Sequence, residues 1–426
     1  DKKFNAKELS TNNWFHPFET LDINPNDNGI IKFFDGLKKK GLMSPYKDLF
    51  WSKYLMDNDD LNEDELIDNW RKYIELSSRG YTSPIESGKK WKYDYKPALE
   101  DENNDPLPHY GYHWDVDNFV NQLKNHCLES GGVNYVSETV VGNNLNKDGS
   151  IKNVVLKDGT EISGDFFIDA SGFNSVLFKN IYKEPFIDYS KYLPCDRAIA
   201  FNVDGETRKH TYTTARAMSN GWSWKIPSGE KTGYGYVYSS NFINEDKAVD
   251  ELSKVTGQDI KDINTLSYNS GTYKRTWIKN CYTIGLSAGF YEPLEATGHL
   301  LTYVQVTRLE GLIARLNNNI QQRPISELID HHNNFMFGAY ESIRHYLIPH
   351  YVLSNRKGEF WDYMRNVKLE DRTQSLLDSW KTNVNKFQLI FGEGLNTFQQ
   401  WSWIYMMLGY NNLPNGVRVN KKTGDK

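Results

Sequence analysis

Apolar residues recur at helical spacing over residues 115–132, DVDNFVNQLKNHCLESGG. Val116, Phe119, Val120, Leu123, Cys127 and Leu128 share one face, Asp115 or Asp117 can cap the start, and Gly131-Gly132 stops it. The period then shortens. VNYVSETVV (133–141) reads as a strand, and IKNVVL and TEISGDFFIDA flank Lys157-Asp158-Gly159, a strong tight-turn signal, so a hairpin is predicted. Its second arm runs on as FFIDASG, a buried strand ending in the small residues Ser171-Gly172, where a backbone can approach a nucleotide. RAIAFNV, HTYTTARAM, GWSWKIP and GYGYVYS, within 197–243, are β-branched or aromatic and predict an antiparallel sheet. In it Trp222, Trp224 and Ile226 share a face at period two. CYTIGLSAGF (281–290) repeats the form of a buried strand followed by small residues. Helical spacing returns at Leu301, Val304, Leu309, Leu312, Ile313 and Leu316, so a helix starts near Thr297-Gly298. From about 325 the pattern stays mostly helical, as in SLLDSWKTNVNKFQLIF, and NKKTGDK ends the chain as a frayed tail.

Bulk properties narrow the possibilities. The chain has 426 residues, 38% hydrophobic and 14% aromatic, enough for a large core. A net charge of −5, with acids and bases nearly balanced, implies neither a nucleic-acid nor a membrane field. No apolar run of transmembrane length and no secretory signal are visible, and a cytoplasmic protein is expected. Cys127, Cys195 and Cys281 lie far apart among apolar neighbours and read as buried thiols, not as a disulfide framework or a metal site.

The chemistry concentrates in GFYEPLEATGHLL (289–301), where a strand hands over to a helix. The first N–H groups of a helix lack intrahelical partners and carry partial positive charge, so Thr297 and Gly298 can hold an anion: a halide, or a flavin or phosphate oxygen. On the local sequence alone an ordinary cap, with Thr297 and Glu295 merely satisfying those N–H groups, is the favoured reading. Glu292, before Pro293, is biased to an extended conformation. Paired carboxylates suggest acid/base work, and the local sequence does not say which of the two is buried.

NCYTIGLSAGFYEPLEATG and GWSWKIP together resemble the flavin-dependent tryptophan halogenases. TYTTARAMSNGWSWKIP, GYGYVYSSNFI, RTWIKNC, GDFFIDASGF and WFHPFE follow in that family's order, over about residues 13–410. The resemblance implies an α/β (α+β) fold: a flavin module like that of FAD-dependent monooxygenases over 1–320, with an inserted antiparallel sheet near 190–245, and a mostly helical substrate-covering module over 321–426. It implies that reduced FAD, oxygen and a halide yield hypohalous acid, which halogenates an electron-rich aromatic. A flavin reductase would supply FADH2, and a homodimer is a family expectation. Residue by residue, Glu295 matches the catalytic glutamate, and Thr297 and Gly298 match the halide-holding N–H groups. Leu286 and His299 fall where the main chain touches FAD, and Val140 in the strand meeting its adenosine half. Trp222 and Trp224 match the pair separating substrate from flavin. His16 and Phe18 match the pair that sandwiches the aromatic ring, and Trp403 keeps the end of a substrate-binding segment.

Departures from the family pattern set further expectations. No Gly-x-Gly-x-x-Gly follows a strand, the flavin strap loop is missing, and the chain opens DKKFNAKELS, so a member lacking its first βαβ unit is expected. Lys3-Phe4 resembles the end of the family's Lys-x-Gly-x-Lys-Phe pattern, which puts the reactive lysine upstream of Asp1; Lys7 does not match its context. Ala296 stands where many members carry serine. In FQLIFGEGLNTFQQWSW (387–403) the tyrosine pair that holds a free amino acid is gone, Phe398 stands at the glutamate's place, and Glu393 is out of register. Free tryptophan is therefore not the expected substrate; an indole, pyrrole, phenol or peptide-bound ring is. Two other readings are a related hydroxylating flavin monooxygenase, disfavoured by the tryptophan pair, and a non-catalytic aromatic-binding member.

Overall fold

The computed structural model describes residues 116–204, 213–228, 231–260, 262–317 and 324–382, together with 397–398, 402–403, 406–407, 410 and 415. His16, Phe18, Lys3, Lys7 and Glu393 lie outside the described residues.

Helix α1 (Val116–Glu129) forms where the spacing predicts it. The burial expected for its apolar face does not follow. Val120 is 53% and Leu123 48% exposed, and Cys127 on the same helix is an exposed thiol, whereas Cys195 and Cys281 are buried. The strand expected over 133–141 is also corrected. Residues 133–139 belong to no strand, though the Thr139 carbonyl accepts from the Lys157 N–H at 2.8 Å; Tyr135 and Val136 are exposed, and β1 runs Val140–Leu145. Strand propensity becomes a strand only where a neighbour supplies the ladder. Strands β2 (Ile151–Leu156) and β3 (Glu161–Ser163) form the predicted hairpin, and β1 pairs antiparallel with β2. Gly159 takes φ +86° at its turn, and Asp158 Oδ1 accepts from the Thr160 N–H at 2.9 Å.

Strand β4 (Phe167–Asp169) is followed by helix α2 (Phe178–Tyr182) and β5 (Phe186–Asp188). Buried Asp169 closes the turn after β4: Oδ1 accepts from Ser171, and Oδ2 from the N–H groups of Leu177 and Phe178 at 2.8 Å.

The predicted antiparallel sheet forms from β6 (Arg197–Asp204), β7 (Thr214–Met218), β8 (Gly221–Ser228) and β9 (Lys231–Tyr238). After helix α3 (Glu245–Thr256), β10 (Asn264–Ser267) joins its edge, giving the order β10-β6-β9-β8-β7. The two faces serve different cores. Ile199, Phe201, Tyr234, Tyr236 and Tyr238 pack with Ala248 and Leu252 of α3. Ala198, Ala217, Trp222 and Val237 point the other way, into the main core, with Trp224 packed beside them. Trp224 lies across β9 opposite Gly235, where a Cβ would overlap its indole.

Three short strands follow: β11 (Gly271–Tyr273), β12 (Trp277–Ile278) and β13 (Cys281–Thr283). β13 pairs parallel with β4 and antiparallel with β12. β11 joins β5 to β14 (Gly289–Phe290). Beyond lie α4 (Thr297–Asn317), α5 (Ile325–Val352), α6 (Glu359–Asn366) and α7 (Asp371–Thr382), as the helical spacing predicts. The described part is thus mixed helix and sheet, in keeping with the α/β expectation.

Two buried amides set the helices on the strands. Asn333 of α5 accepts from the N–H groups of Thr276 and Trp277 at 3.0 and 2.9 Å and donates to the Trp277 carbonyl at 2.9 Å. Gln305 of α4 accepts from the Gly285 N–H at 2.9 Å, fixing the turn after β13 against α4. Buried polar groups that are fully paired specify one arrangement of the elements they join. The largest core runs from Tyr189 through the 288–301 stretch to Trp380 and Met407, so sheet and helices share it.

Substituting Gly235→Ala should lower stability by about 1–3 kcal/mol, the usual cost of overpacking, and alter the near-ultraviolet circular dichroism as Trp224 moves. Denaturant titration with both signals checks this; an unchanged midpoint and spectrum would show that Trp224 is not held by this contact.

Candidate active site

The site grows from the turn between β14 and α4. Leu294–Ala296 form one 3-10 turn in which Glu295 takes φ 68°, ψ 10° and Ala296 φ 53°. Two consecutive non-glycine residues in the left-handed region are costly, on the order of 1–3 kcal/mol each, and persist only where the surroundings enforce them. Enforcement comes from both sides. Tyr291, Glu292, Leu294 and Thr297 are all buried, and the Ala296 N–H is bound to the Pro293 carbonyl at 2.9 Å. This conformation tucks the Glu295 side chain inward to 11% exposure.

The two glutamates meet adjacent residues of α5. Glu292, 1% exposed, accepts from the Tyr351 hydroxyl with both oxygens, at 2.5 and 2.6 Å. The thiol of Cys195 lies 3.6 Å from that hydroxyl. Burial pushes the Glu292 carboxyl up to about 7, against the opposing pull of Tyr351, Cys195 and the Trp222 indole. Among the described residues Glu295 has no such donors. Its Oε1 lies 3.9 Å from His350 Nε2, and burial alone pushes its carboxyl up to about 8. Glu295 therefore does not cap α4: among the described residues no N–H group offsets its desolvation.

Beside Glu295 stands an aromatic wall. Tyr346 of α5 stacks on Phe398 at 3.8 Å between centroids and meets Trp403 edge-on at 5.2 Å. Trp403 is buried at 3% exposure. Trp222 and Trp224 of β8, 6.0 Å apart, face the same core.

On its other side the turn opens. Thr297 is buried, but Gly298 and His299 are exposed, and a Cβ on Gly298 would meet nothing within 4 Å. The start of α4 at Gly298 is therefore exposed. Ala296 and Thr297 alternate in hand, at φ 53° and −77°. Leu286, 43% exposed, sits in the 3-10 turn Gly285–Ser287 at the carboxyl end of β13. The hydroxyl of Ser287 donates to the Gly172 carbonyl at 3.0 Å, joining the turns that follow the parallel strands β4 and β13. The carboxyl ends of parallel strands are where open α/β sheets bind ligands.

Most of the residues singled out from the sequence thus converge here: Leu286, Glu295, Thr297, Gly298 and His299 on one joint, with Trp222, Trp224 and Trp403 around the shared core. Val140 is placed elsewhere, half-buried on β1 with the cluster of Ile151, Leu177 and Phe178. His350, Tyr351 and Tyr346 were not anticipated. Their only mark in the sequence is a His-Tyr pair directly after Pro349 in an otherwise apolar helical run.

The tryptophan halogenase family profile matches residues 75–423. The chain belongs to that family. It is 35% identical over 271 residues to tryptophan 7-halogenase KtzQ of Kutzneria sp. (strain 744), covering 62% of this chain and 50% of that protein. It is 30% identical over 319 residues to tryptophan 7-halogenase RebH of Lentzea aerocolonigenes, covering 68% of this chain and 57% of that protein. It spans about half the length of these curated relatives. The fold is that of Xcc4156, a flavin-dependent halogenase from Xanthomonas campestris, with TM-score 0.73 at 22% identity over 97% of this chain and 78% of that one. Among the described residues no helix is long and apolar enough to cross a membrane.

The raised carboxyls carry a stability signature. An acid whose folded pKa lies above its unfolded value binds extra protons in the folded state between the two, so stability falls as pH rises through that window. For Glu295 the window runs from about 4.5 to about 8. The thermal midpoint of Glu295→Gln should therefore fall less than that of the wild type between pH 5 and 8. Equal slopes would show that Glu295 is not desolvated.

Proposed function

We propose that the full-length protein is a flavin-dependent halogenase of electron-rich aromatic compounds, with Glu295 as its acid/base residue. The observation that carries this is the joint itself: a buried carboxylate with no hydrogen-bond donor among the described residues, two and three residues along the chain from Thr297 and Gly298 at the start of α4. A halide fits the N–H groups of Thr297 and Gly298 by charge and by the space left open there.

Leu286 and His299 border the same opening and would hold the flavin ring against it. Reduced flavin, when bound, supplies with oxygen the oxidation of halide to hypohalous acid. The chain's own residues do the rest. Trp222 and Trp224 keep the aromatic substrate away from the opening, which favours halogenation over direct oxygenation. Glu295 faces the core side, where Tyr346, Phe398 and Trp403 offer aromatic surface for a ring. As the halogen adds, a carboxylate at Glu295 stabilises the cationic ring and takes the proton from the halogenated carbon. Its raised proton affinity makes it a stronger base than an exposed glutamate.

Free tryptophan is not the substrate this surface suits. Phe398 is buried and stacked on Tyr346, where a zwitterion would need polar partners. An indole or a peptide-bound ring demands none there. A flavin reductase is the partner that this chemistry requires.

The test uses the full-length protein with FAD, a flavin reductase, NADH, oxygen and chloride, bromide or iodide, and a panel of indoles followed by mass. Halogenated indole is expected, with free tryptophan converted less efficiently. Glu295→Gln should lower turnover by about 100-fold or more while flavin binding survives. Unchanged turnover in that variant would overturn the role of Glu295; equal or better use of free tryptophan would overturn the substrate class.

A further inference from the structure

The helix that anchors Glu292 also places an imidazole against Glu295. His350 Nδ1 lies 3.0 Å from the Tyr346 carbonyl one turn back on α5. A carbonyl can only accept, so Nδ1 carries the proton and Nε2 is left with its lone pair. That lone pair faces Glu295 Oε1 at 3.9 Å. The ring cannot turn freely: it meets Tyr346 edge-on at 5.1 Å and Tyr410 at 6.2 Å, and His350 is 4% exposed. Adjacent Tyr351 grips Glu292 with its hydroxyl, so residues 350 and 351 hold the two ends of the Glu-Pro-Leu-Glu turn.

We propose that His350 is a positioning residue and proton acceptor for Glu295, fixed in the Nδ1–H tautomer by Tyr346. This inference rests on the acid/base role proposed for Glu295.

The step balances without a further reactant. The O–H bond of the protonated Glu295 breaks as an N–H bond forms at His350 Nε2, leaving a carboxylate and an imidazolium. The carboxylate then takes the proton from the halogenated ring carbon. That C–H bond breaks, its electron pair restores aromaticity, and the O–H bond of Glu295 re-forms. The imidazolium gives its proton to water. Closing 3.9 Å to hydrogen-bond length takes about 1 Å, within the tightening that catalytic contacts undergo when substrate binds.

The surroundings support this direction of transfer. Burial raises the Glu295 carboxyl to about 8, so a neutral-pH site needs a neighbour that unloads it. Among the described residues the other titratable groups that face the pair are the phenols of Tyr346 and Tyr410, both raised by burial and by the charge of Glu295, and neither accepts a proton. Glu292 is engaged by Tyr351.

Two measurements test it in the full-length protein. The first needs no turnover: nitrogen-15 spectra of labelled histidine should show His350 protonated at Nδ1, with an Nε2 resonance that shifts in Glu295→Gln. A proton on Nε2 below the pH at which Glu295 ionises, with Nδ1 bare, overturns the proposal. The second uses His350→Asn, whose amide N–H can still reach the Tyr346 carbonyl but which offers Glu295 no base. Its kcat should fall on the order of tenfold with KM nearly unchanged. The acidic limb of its pH profile should move to higher pH, and a deuterium isotope effect at the halogenated carbon should appear or grow. Wild-type kcat with no such changes overturns the proposal. If His350→Asn loses its thermal midpoint, His350→Gln is read in the same way. A wild-type protein that halogenates nothing, while the tautomer and its coupling to Glu295 hold, counts against the proposed function and leaves the tautomer assignment standing.

Discussion

The structure around the joint between β14 and α4 depends on keeping a carboxylate out of water with no donor to it among the described residues. A buried charge is ordinarily paired or hydrogen-bonded. Glu292 follows that rule through Tyr351, while Glu295, three residues on, finds no hydrogen-bond donor among the described residues. Glu295 and Ala296 both take left-handed φ values in the turn that precedes α4, and the Glu295 side chain is largely buried. Strain in the chain accompanies a carboxyl of raised proton affinity.

The rest of the core holds that joint in place. Gln305 fixes α4 to the turn after β13, and Asn333 fixes α5 to β12. Arg344, buried on α5, binds Glu341 and Glu370 at 2.6 Å and lies over the Tyr189 ring. With its charge between them, those carboxylates form a structural lock beside His345. Tyr351 and His350 then transmit the position of α5 to the two glutamates.

Much of this was legible along the chain, for identifiable reasons. The Asp-Gly hairpin, the aromatic sheet and the helix at Thr297 each rest on local signals: a turn that demands positive φ, alternation at period two, and recurrence at 3.6 residues. The failures were tertiary. The stripe on α1 has the right spacing but exposed Val120 and Leu123, and the run from Val133 has strand composition but no ladder until Val140. Periodicity states which face a segment would bury, and packing decides whether it does. The same holds at the site. Glu-Pro-Leu-Glu pointed to two carboxylates, but which one is paired depends on Tyr351, 59 residues further on. His350 was invisible for the same reason.

The central claim is that desolvation without donors sets the protonation of Glu295. Its most direct test is an infrared titration of the carboxyl band that Glu295→Gln removes from the wild type. The account expects the protonated carboxylic acid to persist at pH 6 and to give way to carboxylate near pH 8. A Glu295 already fully ionised at pH 6 would contradict it.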